Sequence, residues 1–227
     1  MVSIGSWPRH ELLRVAPAVW SRMLASRPDL AVVPFLAEWA DNGWPVIVRR
    51  RVCDDRADFV PIGIPLPPSA GKKRIGLMIP PDAVLERSRP PSLSNVRNAA
   101  SVSWERAIDG LVSLGARHAV MPTVIGSLLW QYQTGLRYLS PQSDLDLLWY
   151  AQPDLDIRSL LAGIEAIERI EAIRIDGEVI FTDGDAVNWR ELHVALDQNE
   201  ATELLVKSMD GVRSAKISQL PNLWSAA

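Results

Sequence analysis

The chain has 227 residues, 48% of them apolar and 22% charged, which excludes a mostly disordered protein and allows a sizeable core. Its one cysteine, Cys53, excludes an internal disulfide and a cysteine-cluster zinc site; no apolar run reaches the roughly 18 residues of a membrane span, and charge in the first ten residues breaks any signal-peptide core, so a cytoplasmic protein is expected. The net charge of −3 is unevenly placed, +4 over residues 1–95 and −7 over residues 96–227, an asymmetry too mild for general nucleic-acid binding.

In chain order, Pro17–Ser26 and Pro34–Ala40 read as helices, each with a proline suited to a first turn. Pro45–Arg49, Phe59–Leu66 and Arg74–Ile79 read as strands, being β-branched and apolar. Prolines 80, 81, 90 and 91 block helix and inner strand, so residues 81–95 read as a linker between an N-terminal domain, 1–80, and a C-terminal domain, 96–227. Ser101–Leu114 has helical period. Val120–Ile125 and Leu145–Tyr150 read as strands, and Ile157 to Ile167 as an amphipathic helix. Ala172–Ile175 is expected to be a strand, with Asp176-Gly177 as its end or a turn before Glu178–Phe181. Asp183-Gly184 reads as a hairpin turn into Ala186–Trp189. Glu203–Lys207 and Val212–Ile217 read as a last hairpin. The fold class is therefore α/β: a small mixed N-terminal domain and a C-terminal domain with a mixed sheet flanked by helices. The nine tryptophans are expected mostly in cores.

The chemistry concentrates between Gly126 and Asp146. Gly126 follows a strand and lacks a Cβ, so its backbone can lie close to a ligand. Ser127 adds a hydroxyl, and a helix opening there would favour a phosphate at its N-terminus. Asp144 and Asp146 alternate on one strand, so both carboxylates share a face. Paired carboxylates in an apolar strand call for a cation, and Mg²⁺ suits oxygen donors. Asp176 is the preferred third carboxylate, with Glu178 as the alternative two residues on. Asp154-Leu155-Asp156 repeats the Asp-x-Asp pattern but precedes an amphipathic helix, so it reads as a capping segment without a catalytic role.

Gly126-Ser127, a spacer and Asp144-Leu145-Asp146 resemble the nucleotidyltransferase superfamily, although 16 residues separate Ser127 from Asp144, more than is usual there. The longer pattern Gly-Ser-x-x-Trp-Gln-x-x-Thr-Gly-x-x-Tyr-Leu followed by Ser143-Asp-Leu-Asp-Leu-Leu is similar to the malonate decarboxylase holo-acyl-carrier-protein synthases, which are phosphoribosyl-dephospho-CoA transferases. Arg9-His10, Pro61-Ile-Gly-Ile-Pro-Leu-Pro67, Gly71-Lys-Lys-Arg74, Asp176-Gly-Glu-Val179 and Val187-Asn-Trp-Arg-Glu-Leu192 extend the likeness.

The resemblance implies an Mg²⁺-dependent enzyme with Asp144, Asp146 and Asp176 as catalytic and metal-binding carboxylates. Its donor would be triphosphoribosyl-dephospho-CoA, and its acceptor a serine of the acyl carrier protein subunit of malonate decarboxylase. Attack of the serine oxygen on the α-phosphorus would release pyrophosphate. Rival readings are a nucleotidyltransferase using a nucleoside triphosphate, and a non-catalytic CoA-type or carrier-protein binding module.

Gly126, Ser127, Arg137, Lys72, Lys73, Arg74 and Lys207 are the candidate substrate-binding residues. Gly71-Lys72-Lys73-Arg74 lacks the upstream glycine and following Ser/Thr of a Walker loop. It would meet donor phosphates or an acidic carrier, or else be a solvated strand end. Arg137 would steady the triphosphate or form a structural ion pair. Lys207 would reach a phosphate or simply face outward. Of the three histidines only His10 has a family match; neither nucleic acid nor membrane is an expected partner.

Overall fold

The computed structural model describes residues 6–171, 173–198 and 201–221. The chain divides into two compact units, one of Met1–Pro90 with Gln133–Tyr138, the other of Pro91–Tyr132 with Leu139–Ala227.

In the first unit five antiparallel strands form one sheet. They are β1 (Leu12–Val15), β2 (Val46–Val48), β3 (Val60–Pro65), β4 (Arg74–Ile79) and β5 (Val84–Ser88), ordered β4-β3-β2-β1-β5. Helix α1 (Pro17–Ala25) starts at its proline, as expected, and buries Trp20 and Leu24. Residues 34–40 are not an α-helix: a four-residue helix, α2 (Pro28–Ala31), comes earlier, and turns follow it. Phe35 there has φ +66°, and a left-handed residue cannot continue a right-handed helix. The indoles of Trp20 and Trp39 are fully enclosed and donate to the carbonyls of Leu36 at 2.8 Å and Pro45 at 3.0 Å. That satisfies the polar cost of burying a large ring.

The stretch expected as a linker is largely ordered structure. Residues 81–83 form a 3-10 turn and 84–88 form β5, paired with β1. Leu93 and Val124 then exchange backbone bonds with Pro122 and Pro91. The prolines at 80, 81 and 90 lie outside these pairings, Pro91 joins them only through its carbonyl, and β5 is an edge strand, where proline costs no inner ladder bond.

The second unit is a six-stranded mixed sheet ordered β11-β10-β9-β8-β7-β6. Its strands are β6 (Thr123–Val124), β7 (Leu145–Tyr150), β8 (Ile175–Ile180), β9 (Ala186–Asn188), β10 (Glu203–Lys207) and β11 (Val212–Lys216). Among the described residues only β7 and β8 pair in parallel, and α5 (Ile157–Glu171) makes the crossover that a parallel pair needs. Helices α3 (Glu105–Arg117), α5 and α6 (Trp189–Leu196) pack side by side. Helix α4 (Gly126–Thr134) opens directly after β6. The α/β reading holds in both units.

Two local expectations change. Asp176-Gly177 is neither a turn nor a strand end but lies inside β8; the strand expected over Ala172–Ile175 instead begins at Ile175, Ile173 and Arg174 lying before it and Ala172 outside the described residues. Gly177 has φ +136°, and a Cβ there would lie 1.8 Å from the carbonyl oxygen of Leu147, so the glycine marks a close backbone approach within the sheet. Trp189 does not end a strand but begins α6. Asn188-Trp-Arg-Glu191 has the capping-box spacing that announces such a start.

Candidate active site

The parallel register sets Asp146 beside Asp176 and Leu148 beside Glu178. Directly opposite residues in neighbouring strands share a face, with backbones about 4.8 Å apart. Asp144 immediately precedes β7, two residues before Asp146, where strand alternation puts it on the same face, so the three expected carboxylates come from the entry of β7 and the start of β8. Leu145, Leu147 and Trp149 are buried on the other face.

Gly126 closes against this group. The backbone N–H of Ile125 donates to the Asp146 carbonyl at 3.0 Å. Gly126 itself has φ +65°, and a Cβ there would fall 1.8 Å from Asp146 Oδ2. The left-handed conformation and the absent side chain are both required for the backbone to touch the carboxylate. Ser127 is half-buried in the first turn of α4. The helix amides and dipole at this end favour an anion.

Each carboxylate has a different surrounding. Asp144 is approached by the exposed Arg174, Nε to Oδ2 at 3.4 Å. Asp176 Oδ1 accepts from its neighbour's backbone, Gly177 N–H, at 2.8 Å and from Asn188 Nδ2 at 2.9 Å. Glu178 is buried and takes Lys207 Nζ on Oε1 at 2.8 Å. Lys207 thus belongs to the carboxylate face as the partner of Glu178. A buried carboxylate already paired with an ammonium is a poorer metal ligand than Asp176.

The strand carrying Asp176 is clamped just before it. Glu168 of α5 accepts from Ile175 N–H at 2.8 Å, while Trp189 Nε1 and Arg190 Nη2 donate to the Ile175 carbonyl, each at 3.1 Å. Arg190 and Glu168 form a bidentate pair at 2.6 and 2.8 Å. The guanidinium beside it holds the Glu168 carboxyl below its ordinary range.

The donor chemistry fits Mg²⁺: three oxygen-bearing side chains share one face, two of them on directly paired residues. Among the described residues no group of three or more His, Cys, Asp or Glu is gathered to hold a metal by itself. Mg²⁺ is commonly held by one or two carboxylates, its remaining positions taken by substrate phosphates and water, so a closed protein cage is not required.

The other predicted substrate-binding residues, Lys72, Lys73, Arg74 and Arg137, belong to the first unit. Gly71 and Lys72 turn the β3–β4 hairpin with φ +81° and +53°, and Lys72, Lys73 and Arg74 are exposed. Arg137 is exposed, and the neighbouring Tyr138 is buried and donates its hydroxyl to the Pro65 carbonyl at 2.9 Å. Burial raises the Tyr138 phenol above its ordinary range. His10 has φ +70°, and its ring Nε2 lies 3.1 Å from Arg9 Nη2. Asp156 caps α5, accepting from Ser159 N–H at 3.1 Å, as its place before the helix implied. Asn188, Glu168 and Arg190 were not among the predicted site residues, because their roles come from long-range pairing that no local pattern encodes.

Comparison with known proteins shows the family. Residues 8–90 match the family model described as phosphoribosyl-dephospho-CoA transferase MdcG N-terminal domain, and residues 92–217 the corresponding C-terminal domain. The chain is 46% identical over 204 residues to a phosphoribosyl-dephospho-CoA transferase of Bradyrhizobium diazoefficiens, covering 90% of this chain and 88% of the relative. It is 34% identical over 194 residues to the protein of that name in Xanthomonas euvesicatoria, covering 86% and 89%. An Azotobacter vinelandii relative of the same name is 28% identical over 209 residues, covering 90% of each chain. No solved structure matches. With both family domains present in order and the similarity running through nearly the whole chain, this protein belongs to the phosphoribosyl-dephospho-CoA transferase family.

Proposed function

We propose that the chain is a nucleotidyltransferase-type enzyme that loads the acyl carrier protein subunit of malonate decarboxylase. It takes the phosphoribosyl-dephospho-CoA group from its triphosphate precursor and joins it to a carrier serine. The new bond joins the serine oxygen to the α-phosphorus, and the bond from that phosphorus to the departing pyrophosphate breaks. The observation that carries this reading is the side-by-side placement of Asp146 and Asp176 with Gly126 against Asp146.

Asp144, Asp146 and Asp176 are the residues that would hold Mg²⁺, which supplies positive charge to the phosphate oxygens. The chain's own groups do the rest. The α4 N-terminus, with the Gly126 and Ser127 amides, binds phosphate. Lys207 contributes an ammonium steadied by Glu178. Asp176 Oδ2 has no hydrogen-bond partner among the described residues and is available to accept the serine proton. Lys72, Lys73, Arg74 and Arg137 supply cations for the rest of a long polyanionic donor or for the carrier.

Mass spectrometry of carrier protein incubated with enzyme, Mg²⁺ and donor tests the proposal. The carrier should gain the mass of phosphoribosyl-dephospho-CoA. Asp144→Asn and Asp146→Asn should each cut the rate by at least about a hundredfold, the scale of losing one strong electrostatic contact to a transition state, with melting temperature retained. Asp154→Asn and Asp156→Asn should load normally. A carrier modified only by a nucleoside triphosphate would transfer the site to a different donor class; a carrier modified by neither would remove the reading.

A further inference from the structure

We infer that Asn188 is the positioning residue for the Asp176 carboxylate, and that its role as helix cap locks its amide in the orientation this requires. The inference rests on the reading of Asp176 as part of the catalytic carboxylate group.

An asparagine side chain offers one acceptor and one donor end, and either can be turned toward a neighbour. Here the choice is forced. β9 ends at Asn188 and α6 begins at the next residue. Asn188 Oδ1 accepts from the backbone N–H groups of Arg190 at 3.0 Å and Glu191 at 3.3 Å. The NH₂ end cannot occupy that place, because it would meet two donors. Nδ2 is therefore held on the other side, 2.9 Å from Asp176 Oδ1. Antiparallel pairing of Asn188 with Glu178 brings the cap to β8, two residues from the Asp176 it serves.

The consequence for Asp176 is geometric. Its Oδ1 is fixed by two donors, Asn188 and the Gly177 amide. With one oxygen tied, the position of the other is set, and Oδ2 is left for chemistry. Other good caps meet only half of this demand. Serine would cap α6 but is too short and has no second donor group on that side. Aspartate would cap equally well, yet would set a second carboxylate against Asp176.

Three variants of the full chain test this. Asn188→Ser should stay folded and melt within about 5 °C of the parent, since serine still caps α6 and only the bond to Asp176 is lost. Its kcat should fall about tenfold, one charge-assisted hydrogen bond's worth, with donor KM changed less than about twofold. Asn188→Asp should stay folded with a lowered melting temperature, because it sets two carboxylates together, and lose about a hundredfold in kcat. In amide NMR, Asp176→Ala should shift the Asn188 side-chain NH₂ signals while leaving the Arg190 and Glu191 backbone amides in place. This last measurement decides the matter even if an Asn188 variant fails to fold. Wild-type kcat in Asn188→Ser and Asn188→Asp, with Asp176→Asn inactive, overturns the inference alone. An NH₂ signal indifferent to Asp176→Ala overturns it as well. A fully active Asp176→Asn would remove the reading of Asp176 itself and the inference with it.

Discussion

At the scale of single residues, Gly126 shows how much a missing side chain can decide. Its φ of +65° and the 1.8 Å that would separate a Cβ from Asp146 Oδ2 leave alanine two penalties. The left-handed conformation costs about 1–2 kcal/mol, and the clash displaces the carboxylate that the site needs. Gly126→Ala should therefore lower kcat by about a hundredfold or more while the protein still folds, because the strain alone is a small part of a domain's stability. Steady-state kinetics beside a thermal melt checks it; a folded variant with parental kcat would show that Asp146 tolerates displacement. The sequence announced this glycine by placing it between a strand and a serine. It also gave the Asp144/Asp146 face, since strand alternation is purely local. It could not give the partner of Lys207, because Glu178 is 29 residues away and only the β8–β9–β10 order unites them.

At the scale of elements, β8 depends on the helices at its start. Glu168 on α5 and Arg190 on α6 together hold both polar groups of the Ile175 peptide. Glu168 titrates below its ordinary value of 4.5, chiefly through the hydrogen-bonded Arg190 guanidinium. A carboxylate lowered in the folded state stabilises fully above its unfolded value, and loses that contribution as pH falls through the folded value. The melting-temperature gap between wild type and Glu168→Gln should thus stay constant from neutrality to about pH 5, then close in acid. Its neutral value should correspond to roughly 1–3 kcal/mol, the worth of a hydrogen bond to a charged group. A gap independent of pH would show that packing and not charge is lost. These elements were unequally legible. β4 and β7 were read to their ends, being apolar runs bounded by turn residues. Residues 34–40 misled because proline and aliphatic spacing suggest a helix, whereas Phe35 takes a left-handed backbone that no local pattern announces. Residues 81–95 misled because proline excludes inner strands but not edges.

For the whole molecule, the uneven charge noted in the sequence divides along the units: Lys72, Lys73 and Arg74 are exposed in one, and the carboxylate face is in the other. If the basic hairpin binds the polyanionic donor or the carrier, its charges act alike in ground and transition state. Replacing all three with alanine should raise KM for donor or carrier about tenfold, leave kcat nearly unchanged, and weaken the salt dependence of KM. Unchanged KM for both would leave these residues as a solvated strand end.

The assignment of Gln133–Tyr138 to the first unit bears on how such a protein can change over evolutionary time. A domain followed by another in simple succession can be exchanged by a single recombination event near its boundary. Here the polypeptide passes between units after residue 90, again after 132 and once more after 138, and the returning segment brings Tyr138 to the Pro65 carbonyl. A crossover at residue 90 would pair one ancestor's Pro65 region with another's Tyr138. The two family domains are therefore expected to be inherited together, each lineage keeping its own matched pair.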